Sequence, residues 1–485
     1  MTTIYSFIPN RVENEVKELI CELKNSAGVE KIFVNDALST EGQEKVKRFS
    51  FLNFTGTELL KRIAAKSEGA DYLLLLTKEA SVRLGQFALD RLVGVAEATG
   101  AGMVYSDYME VKEGKLSAHP VIDYQEGSLR DDFNFGPLVL YSAKAFREAV
   151  DEMTQAFSHA GFYYLRLKVS QKHSLVRVPE FLYTVDETDI RKSGQKLFDY
   201  VDPKNRQVQI EMEQAVTEHL KNVGAWLKPE FSEVTFAESE FATKASVIIP
   251  VLNREKTIAD AIQSVLEQKT DFPFNLLVVD NHSKDRTTEI LRSFSEKDGR
   301  IIHIIPERND LGIGGCWNAA VHDPRCGMYA VQLDSDDIYK DENTLQMMVD
   351  AFYRENCAMV VGTYQLVNFK LEEIPPGIID HREWTPDNGR NNALRINGLG
   401  APRAFYTPVL REVKIPNVSY GEDYAVGLAI SRQYRIGRVY ENVYLCRRWD
   451  DNSDAALDIE KMNKHNLYKD RIRTIELKAR QLKNK

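Results

Sequence analysis

The chain has 485 residues, 43% of them hydrophobic, so it is long enough for about three domains and apolar enough for buried cores. A disordered, collagen-like or coiled-coil chain is excluded. Its 63 basic and 72 acidic residues give a formal net charge of −9. This balance argues against a nucleic-acid-binding protein, because such proteins gain affinity by neutralising phosphates.

The cysteines and the apolar runs indicate where the protein works. The five cysteines are widely spread and form no CxxC pair, which favours a reducing, cytoplasmic setting. The N-terminus is charged too early for a signal peptide, and no apolar run approaches the roughly 18 residues that span a bilayer. We therefore expect no transmembrane segment and, at most, peripheral contact with a membrane.

The order of predicted elements occurs twice along the chain. IYSFIPN is matched later by ASVIIPVLN, IFVNDALS by LLVVDNHSKD, and ADYLLLLTKEA by GMYAVQLDSDD. Each segment resembles a buried strand followed by a loop, and helical patterns lie between the strands. Strands that alternate with helices at this spacing predict an α/β domain with a mainly parallel sheet, present in two tandem copies.

These patterns predict four parts of the chain. We expect a first α/β domain over 1–190, a helical connector over 191–240, a second α/β domain over 241–453 and an amphipathic C-terminal helix over 454–485. The connector helix has Pro203 near its start and Gly224 near its end.

A cluster of carboxylates follows a buried strand in the second copy. Asp334, Ser335, Asp336 and Asp337 come directly after it, at the edge where open α/β sheets bind ligands. Asp334 and Asp336 can share a hard cation such as Mg²⁺ or Mn²⁺. The alternative is a solvated acidic turn that caps the next helix.

Other polar groups follow the neighbouring strands. Asp280 ends a strand and can accept from a base or ribose hydroxyl, while Gly421-Glu422-Asp423 opens an apolar helix and offers a candidate general base. Helix capping and helix-dipole stabilisation are the alternatives. The glycines at 312, 314 and 315 do not complete GxGxxG, which argues against a Rossmann dehydrogenase. Trp384 either stacks on a sugar or packs its own loop.

Five of these motifs, taken in order over residues 245–453, resemble the family 2 glycosyltransferases of GT-A fold. They are SVIIPVLN, VVDNHSKDRT, GGCWNAAV, the pair Asp334 and Asp336, and the pair Glu422 and Asp423. The resemblance implies an inverting, hexosyltransferase-type transfer of a sugar from a nucleotide-diphosphate sugar, with a UDP-sugar favoured, to a carbohydrate or glycoconjugate hydroxyl. It implies a Mn²⁺ or Mg²⁺ cofactor held by Asp336 with Asp334.

The resemblance also implies roles for individual residues. Asp423, with Glu422 beside it, would take the proton of the acceptor, and Asp280 would contact the base. The remaining donor-site residues would be Pro250, Val251, Asn253, Glu255, Gly312, Asn318, Asp334, Ser335, Arg448 and Trp449. Trp317 stands where the family often has Arg, which puts the phosphate contact of Asn318 in doubt.

The first copy is expected to be a degenerate, non-catalytic relative. It has Thr77-Lys78-Glu79-Ala80 in place of DSDD, and Gly161-Phe162-Tyr163 in place of GED. Its core would serve structure, assembly into a homo-oligomer or acceptor binding. Two other functions remain open for the chain: a non-catalytic carbohydrate- or nucleotide-binding scaffold, and a nucleotidyltransferase, although PVLNREKT lacks the glycine-rich loop that a triphosphate requires.

Overall fold

The computed structural model describes residues 2–38, 44–186, 206–237, 240–448 and 458–485. These residues form two compact units. The first takes in the described residues of Met1–Gly194, Asn205–Trp226 and Asp458–Lys485, and the second those of Leu227–Leu457.

The first unit contains nine of the described strands and seven of the described helices. The strands are β1 (Ile4–Ile8), β2 (Val29–Asn35), β3 (Val46–Phe49), β4 (Tyr72–Leu76), β5 (Ser81–Leu84), β6 (Met103–Lys112), β7 (Lys115–His119), β8 (Leu138–Ser142) and β9 (Leu175–Asp186). The helices are α1 (Glu13–Asn25), α2 (Thr57–Lys66), α3 (Ala88–Thr99), α4 (Ala143–Asp151), α5 (Gly161–Ser170), α6 (Arg206–Asn222) and, at the end of the chain, α14 (Ile459–Lys483).

The second unit contains the same numbers of described strands and helices. The strands are β10 (Ala245–Val251), β11 (Phe274–Asp280), β12 (Ile301–Ile304), β13 (Tyr329–Gln332), β14 (Ile338–Tyr339), β15 (Met359–Val367), β16 (Glu373–Ile379), β17 (Arg403–Tyr406) and β18 (Ile436–Arg447). The helices are α7 (Ile258–Leu266), α8 (Thr287–Ser295), α9 (Ile313–Val321), α10 (Thr344–Glu355), α11 (Gly389–Asn392), α12 (Thr407–Val413) and α13 (Glu422–Ser431).

The two units have the same strand order. It is β3-β2-β1-β4-β8-β6-β9-β5 in the first and β12-β11-β10-β13-β17-β15-β18-β14 in the second, with β7 beside β6 and β16 beside β15. In each described nine-stranded sheet, six strands run in one direction and three in the other. This confirms the predicted fold class of two tandem α/β domains with mainly parallel sheets, and the internal repeat.

The parallel strands of the second unit form its core. In β10 only Pro250 is not buried, and in β11 only Phe274 is not. Parallel strands read as continuous apolar runs because helices cover both faces of such sheets. Polar groups that a ligand could reach are therefore expected in the loops that follow these strands.

The regions expected to be a connector and a separate terminal helix both contribute helices to the first unit. In the connector region, α6 ends just before Gly224, whose φ of 73° gives the left-handed turn expected after a helix. None of the helices in the described part of the chain has the length and hydrophobicity needed for a bilayer span. None of the five cysteines, all of which are described, forms a disulfide.

The C-terminal helix differs from the expected amphipathic pattern, because its buried face is charged. Asp470, Arg473 and Arg480 are fully buried, and Glu476 is nearly so. Asp470 accepts hydrogen bonds from Arg473 Nη1 and from the Ser128 hydroxyl, both at 2.9 Å. Charges can be buried in this way only when partners replace the water that they lose.

Replacing Asp470 by Ala should destabilise the first unit by about 3–5 kcal/mol, because Arg473 would remain buried without its anion. We would measure this by urea denaturation followed by circular dichroism. Arg471→Ala, on the exposed side of the same helix, is the matched control and should change stability by less than about 0.5 kcal/mol. Equal, small effects of both substitutions would show that the buried network contributes little.

Candidate active site

Three strand ends of the second unit meet at one edge of its sheet. β10 lies between β11 and β13, parallel to both, with Val251 beside Asp280 and Ile248 beside Gln332. The loops after these strands are therefore neighbours. The Thr257 hydroxyl, in the loop after β10, donates to the Ser335 carbonyl, in the loop after β13, at 2.9 Å.

The loops after β10 and β11 are fastened to each other by side chains that were expected to line a nucleotide. Asn253 Oδ1 accepts from the Lys284 N–H at 2.8 Å, and Glu255 Oε2 accepts from the Arg286 N–H at 3.1 Å. In return, the Ser283 hydroxyl accepts from the Asn253 N–H at 3.0 Å. Asn253 and Glu255 thus shape this edge by holding two backbone segments together.

Asp280 lies at the base of these loops and is fully buried. Its carboxylate accepts from the Ser283 N–H at 2.9 Å and from the Thr288 hydroxyl at 2.5 Å, and His303 Nε2 lies 3.5 Å away. Burial raises the pKa of Asp280, but the His303 contact and the hydrogen bonds from Thr288 and Ser283 outweigh this effect and hold the pKa below its usual range. Asp280 is therefore an ionised anchor for the loop after β11.

The carboxylates after β13 have different surroundings. Asp334 is open to solvent on one side and accepts from Gln332 Nε2 at 2.9 Å. The surrounding protein removes enough water to raise its pKa, and the charge of Arg403 partly offsets this effect. Asp336 is half-buried, with Oδ2 3.8 Å from Arg254 Nε. Asp334 and Asp336 are thus the two carboxylates of this cluster that a ligand can reach.

Asp337 and Ser335 hold the loop that carries this cluster in place. Asp337 is buried and accepts from the Arg447 N–H at 2.8 Å. Its pKa is raised well above the usual value, first by burial and then by the charges of Asp336 and Asp334. Ser335 contributes its carbonyl to Thr257, as described above.

Two side chains connect these carboxylates to Asp423, and neither was predicted from the sequence. Gln332 donates to Asp334, while its Oε1 accepts from the Arg403 N–H at 3.1 Å. Arg403 Nη1 lies 2.8 Å from Asp423 Oδ2 and donates to the Gly400 carbonyl at 2.7 Å. A polar Gln at the end of the apolar strand AVQ was the one signal in the sequence for this connection.

Glu422 and Asp423 begin α13 and occupy different environments. Asp423 is paired with Arg403, whereas Glu422 Oε2 is buried without a hydrogen-bond partner. Burial and the neighbouring Asp423 charge raise the pKa of Glu422 to about 7. This pair therefore combines one carboxylate held by a cation with one that exchanges its proton near neutral pH.

Gly312 and Asn318 pack against a neighbouring loop of the same unit. The Asn318 amide donates to the Ile415 carbonyl at 2.6 Å and accepts from the Ile415 N–H at 3.1 Å. A Cβ on Gly312 would lie 2.6 Å from the Val418 carbonyl carbon. The space that Gly312 leaves by lacking a Cβ is thus occupied by the backbone of the same chain.

The other expected donor-site residues lie at strand ends. Pro250 and Val251 close β10, and the Val251 carbonyl accepts from the Asn281 N–H at 2.9 Å. Arg448 follows β18 and its backbone N–H donates to the Val367 carbonyl at 2.8 Å. Trp449 lies outside the described residues.

The first unit keeps the frame of this edge but has one carboxylate, Glu79, where the second unit has Asp334, Asp336 and Asp337. Arg11 Nε lies 3.5 Å from Glu79 Oε1, as Arg254 pairs with Asp336. In α5, Tyr163 bonds the Leu129 carbonyl at 2.5 Å.

In α13, the Tyr424 hydroxyl donates to the Ala393 carbonyl at 2.5 Å, the same distance as that between Tyr163 and the Leu129 carbonyl. Both tyrosines are the third residue of their helix, so Gly161 and Phe162 correspond to Glu422 and Asp423. The sequence pattern aligned Gly161 with Gly421, which was wrong by one residue, because Gly161 corresponds to Glu422. The absence of carboxylates at these two positions is unchanged.

The donor atoms at this edge suit a divalent cation that binds together with a ligand. Within the described ranges, no group of three or more His, Cys, Asp and Glu side chains could hold a metal alone. Mg²⁺ and related cations in phosphate sites need only one or two carboxylates, because phosphate oxygens and waters complete the shell. Asp334 and Asp336 fit that donor set.

Two solved structures are among those similar to this chain. Staphylococcus aureus TarS 1–349 in complex with UDP-GlcNAc is 22% identical with a TM-score of 0.38, and the match covers 50% of this chain and 73% of that one. The mannosyltransferase PcManGT from Pyrobaculum calidifontis in complex with GDP-Man and Mn²⁺ is 17% identical with a TM-score of 0.34, covering 56% and 83%.

Curated relatives match part of the chain. An uncharacterised glycosyltransferase of Rickettsia felis is 31% identical over 201 residues, which are 41% of this chain and 32% of that protein. The UDP-Glc:alpha-D-GlcNAc-diphosphoundecaprenol beta-1,3-glucosyltransferase WfgD of Escherichia coli is 35% identical over 123 residues, covering 25% and 46%. The matched region thus spans a third to a half of the length of these relatives.

Two findings are decisive for the family. Residues 246–411 match the sequence profile of glycosyl transferase family 2. The putative teichuronic acid biosynthesis glycosyltransferase TuaG of Bacillus subtilis (strain 168) is 31% identical over 189 residues, which are 39% of this chain and 72% of that protein. The resemblance seen in the motifs is thereby confirmed, and the chain belongs to glycosyltransferase family 2.

Proposed function

We propose that the second unit transfers a sugar from a nucleotide-diphosphate sugar, a UDP-sugar, to a hydroxyl of a carbohydrate or glycoconjugate, with inversion and with a divalent cation. The observation that carries this proposal is the bonded connection from Asp334 through Gln332 and Arg403 to Asp423. It holds two kinds of carboxylate at one edge of the sheet. One kind suits the donor diphosphate, and the other suits the acceptor hydroxyl.

The donor side is formed by the loops after β10, β11 and β13. The Asn253 and Glu255 bonds give these loops a fixed shape, which lowers the entropic cost of holding a nucleotide. Asp336 and Asp334 would hold the cation, and the cation would neutralise the negative charge that develops on the departing diphosphate. WfgD, with its UDP-glucose donor, supports a UDP-sugar here.

The acceptor side is the start of α13. Asp423 is our candidate base, and Arg403 fixes its position. When Glu422 is ionised, its negative charge increases the proton affinity of Asp423, which makes Asp423 a better base. With the base on this side, the acceptor oxygen would attack the sugar from the face opposite the leaving diphosphate. Such an attack inverts the configuration of the sugar.

The first unit is proposed to be non-catalytic. Thr77, Gly161 and Phe162 stand at the positions of Asp334, Glu422 and Asp423. A non-catalytic binding role for the whole chain is the alternative outcome that the experiments below would reveal.

The proposal is tested first by thermal unfolding with UDP-, GDP- and dTDP-sugars, each with and without Mn²⁺. A donor at about a hundred times its dissociation constant should add about 2.7 kcal/mol of stability, because it binds only the folded chain. We expect a Mn²⁺-dependent shift with a UDP-sugar. Asp336→Asn should lose that shift and about a hundredfold or more of turnover, since stabilisation of the leaving diphosphate is lost.

Asp350→Asn, on the exposed surface of α10, is the control for the charge change and should behave as the unmodified chain. A shift without turnover for any acceptor tested would favour the binding scaffold. Full activity of Asp336→Asn would remove its proposed metal role.

Asp423→Asn should keep donor binding and lower kcat by about 10²–10⁴-fold, because the amide cannot take the acceptor proton. Donor affinity is measured by calorimetry and kcat by release of the nucleotide diphosphate. The anomeric configuration of the product, read by NMR, should be opposite to that of the donor. A product that retains the configuration of the donor would contradict both the base and the inverting mechanism.

The rate should fall as the pH decreases through about 7, because protonation of Glu422 removes the charge that makes Asp423 a stronger base. Glu422→Gln should flatten this limb of the kcat profile between pH 6 and 8 and lower the plateau. An unchanged limb in this variant would assign the titration to another group.

A further inference from the structure

A cavity of about 120 Å³ lies in the second unit and shares no residue with the candidate active site. Its lining includes three arginines and four aromatic residues: Arg390, Arg435, Arg438, Phe231, Trp384, Tyr434 and Tyr440. The guanidinium carbons of Arg390 and Arg435 lie 4.3 and 5.0 Å from the centre of the Phe231 ring. This lining combines positive charge with flat apolar walls.

Arg438 is the central group of this cavity. It is 6% exposed, and its guanidinium carbon lies 4.6 Å from the centre of the Trp384 ring. Nη1 donates to the Leu399 carbonyl at 3.0 Å, whereas Nε and Nη2 are buried without a hydrogen-bond partner. The Nε–Nη2 edge of a guanidinium is a planar fork that binds a carboxylate or a phosphate through two parallel hydrogen bonds.

The carboxylates near Arg438 are engaged elsewhere. Glu383 Oε1 lies 2.8 Å from His381 Nδ1. Glu355 Oε1 accepts from the backbone N–H of Arg438 and from Arg354 Nη2, both at 3.2 Å. Burial lowers the pKa of Arg438 to about 10, so the side chain stays charged at neutral pH. The lining therefore carries three positive charges against the single negative charge of Glu355.

We propose that this cavity is a binding site for an oxyanion, a phosphate or carboxylate group, which the Nε–Nη2 edge of Arg438 holds through two hydrogen bonds. A buried donor without a partner is destabilising, and more so when it is charged, and an anion in the cavity would recover that cost. The volume of about 120 Å³ accommodates a phosphate-sized group. This proposal does not depend on the proposed transferase activity.

The cavity is connected to the candidate base through two consecutive carbonyls. Arg438 holds the Leu399 carbonyl at 3.0 Å, and Arg403, the partner of Asp423, holds the Gly400 carbonyl at 2.7 Å. An anion that fixes Arg438 would therefore also restrain the segment that positions Arg403.

The test uses the full chain carrying Asp336→Asn, without divalent metal, so that phosphate has no cation to bind at the strand ends. Inorganic phosphate, and acetate in a second arm, is titrated against KCl of equal ionic strength, with calorimetry and melting temperature as readouts. Binding in either arm that is at least tenfold weaker in Arg438→Met supports the proposal, and the stronger arm identifies the class of anion. Arg438→Lys, which keeps the charge but loses the fork, should also bind more weakly.

Arg382→Met, an exposed arginine of the neighbouring loop, should bind as the parent chain does. If Arg438→Met does not fold, Arg435→Gln at the half-buried rim serves in its place and should weaken binding. The proposal is overturned if neither anion binds the parent chain, or if the cavity variant that folds binds as tightly as the parent.

Discussion

The candidate site depends on the parallel pairing of β10 with β11 and β13. Because parallel strands end at the same edge of a sheet, residues far apart in the chain become neighbours there. Gln332 connects this edge to a further strand. Its amide has both a donor and an acceptor, so one side chain donates to Asp334 and accepts from the backbone of Arg403. A Glu at this position could not donate to Asp334, and a Leu could bond neither partner. One amide thus links Asp334 to Arg403, the partner of Asp423.

The two units show that this frame is independent of the chemistry at its edge. Their strand orders are the same, and the pair Arg11–Glu79 mirrors Arg254–Asp336. At the start of α5, however, Gly161 and Phe162 replace the two carboxylates of α13. Core positions follow from burial and from the strand pattern, whereas edge positions face solvent and can change without loss of the fold.

The sequence predicted what depends on local pattern and on parallel topology. Alternating strands and helices predicted both units, and Asp280, Asp334 and Asp336 lie at the strand ends as expected. The sequence could not predict the bond between Arg403 and Asp423, since it depends on how separate loops pack. The same holds for Asn253, whose amide turns toward the next loop, and for Asp470, a charged residue that patterning assigns to solvent but that tertiary partners bury.

Two arginines that hold the segment from Leu399 to Arg403 differ in how their charges are paired. Arg403 satisfies its charge with Asp423, whereas Arg438 leaves one edge of its guanidinium unpaired only one carbonyl away. In a well-packed interior, such an edge persists when the surrounding contacts hold the side chain in place, here the Trp384 ring and the Leu399 carbonyl. The same two contacts keep the fork rigid, so an anion would pay little entropy to bind it. The two contacts that leave the Nε–Nη2 edge of Arg438 unpaired also hold it rigid, and both properties favour the binding of an anion.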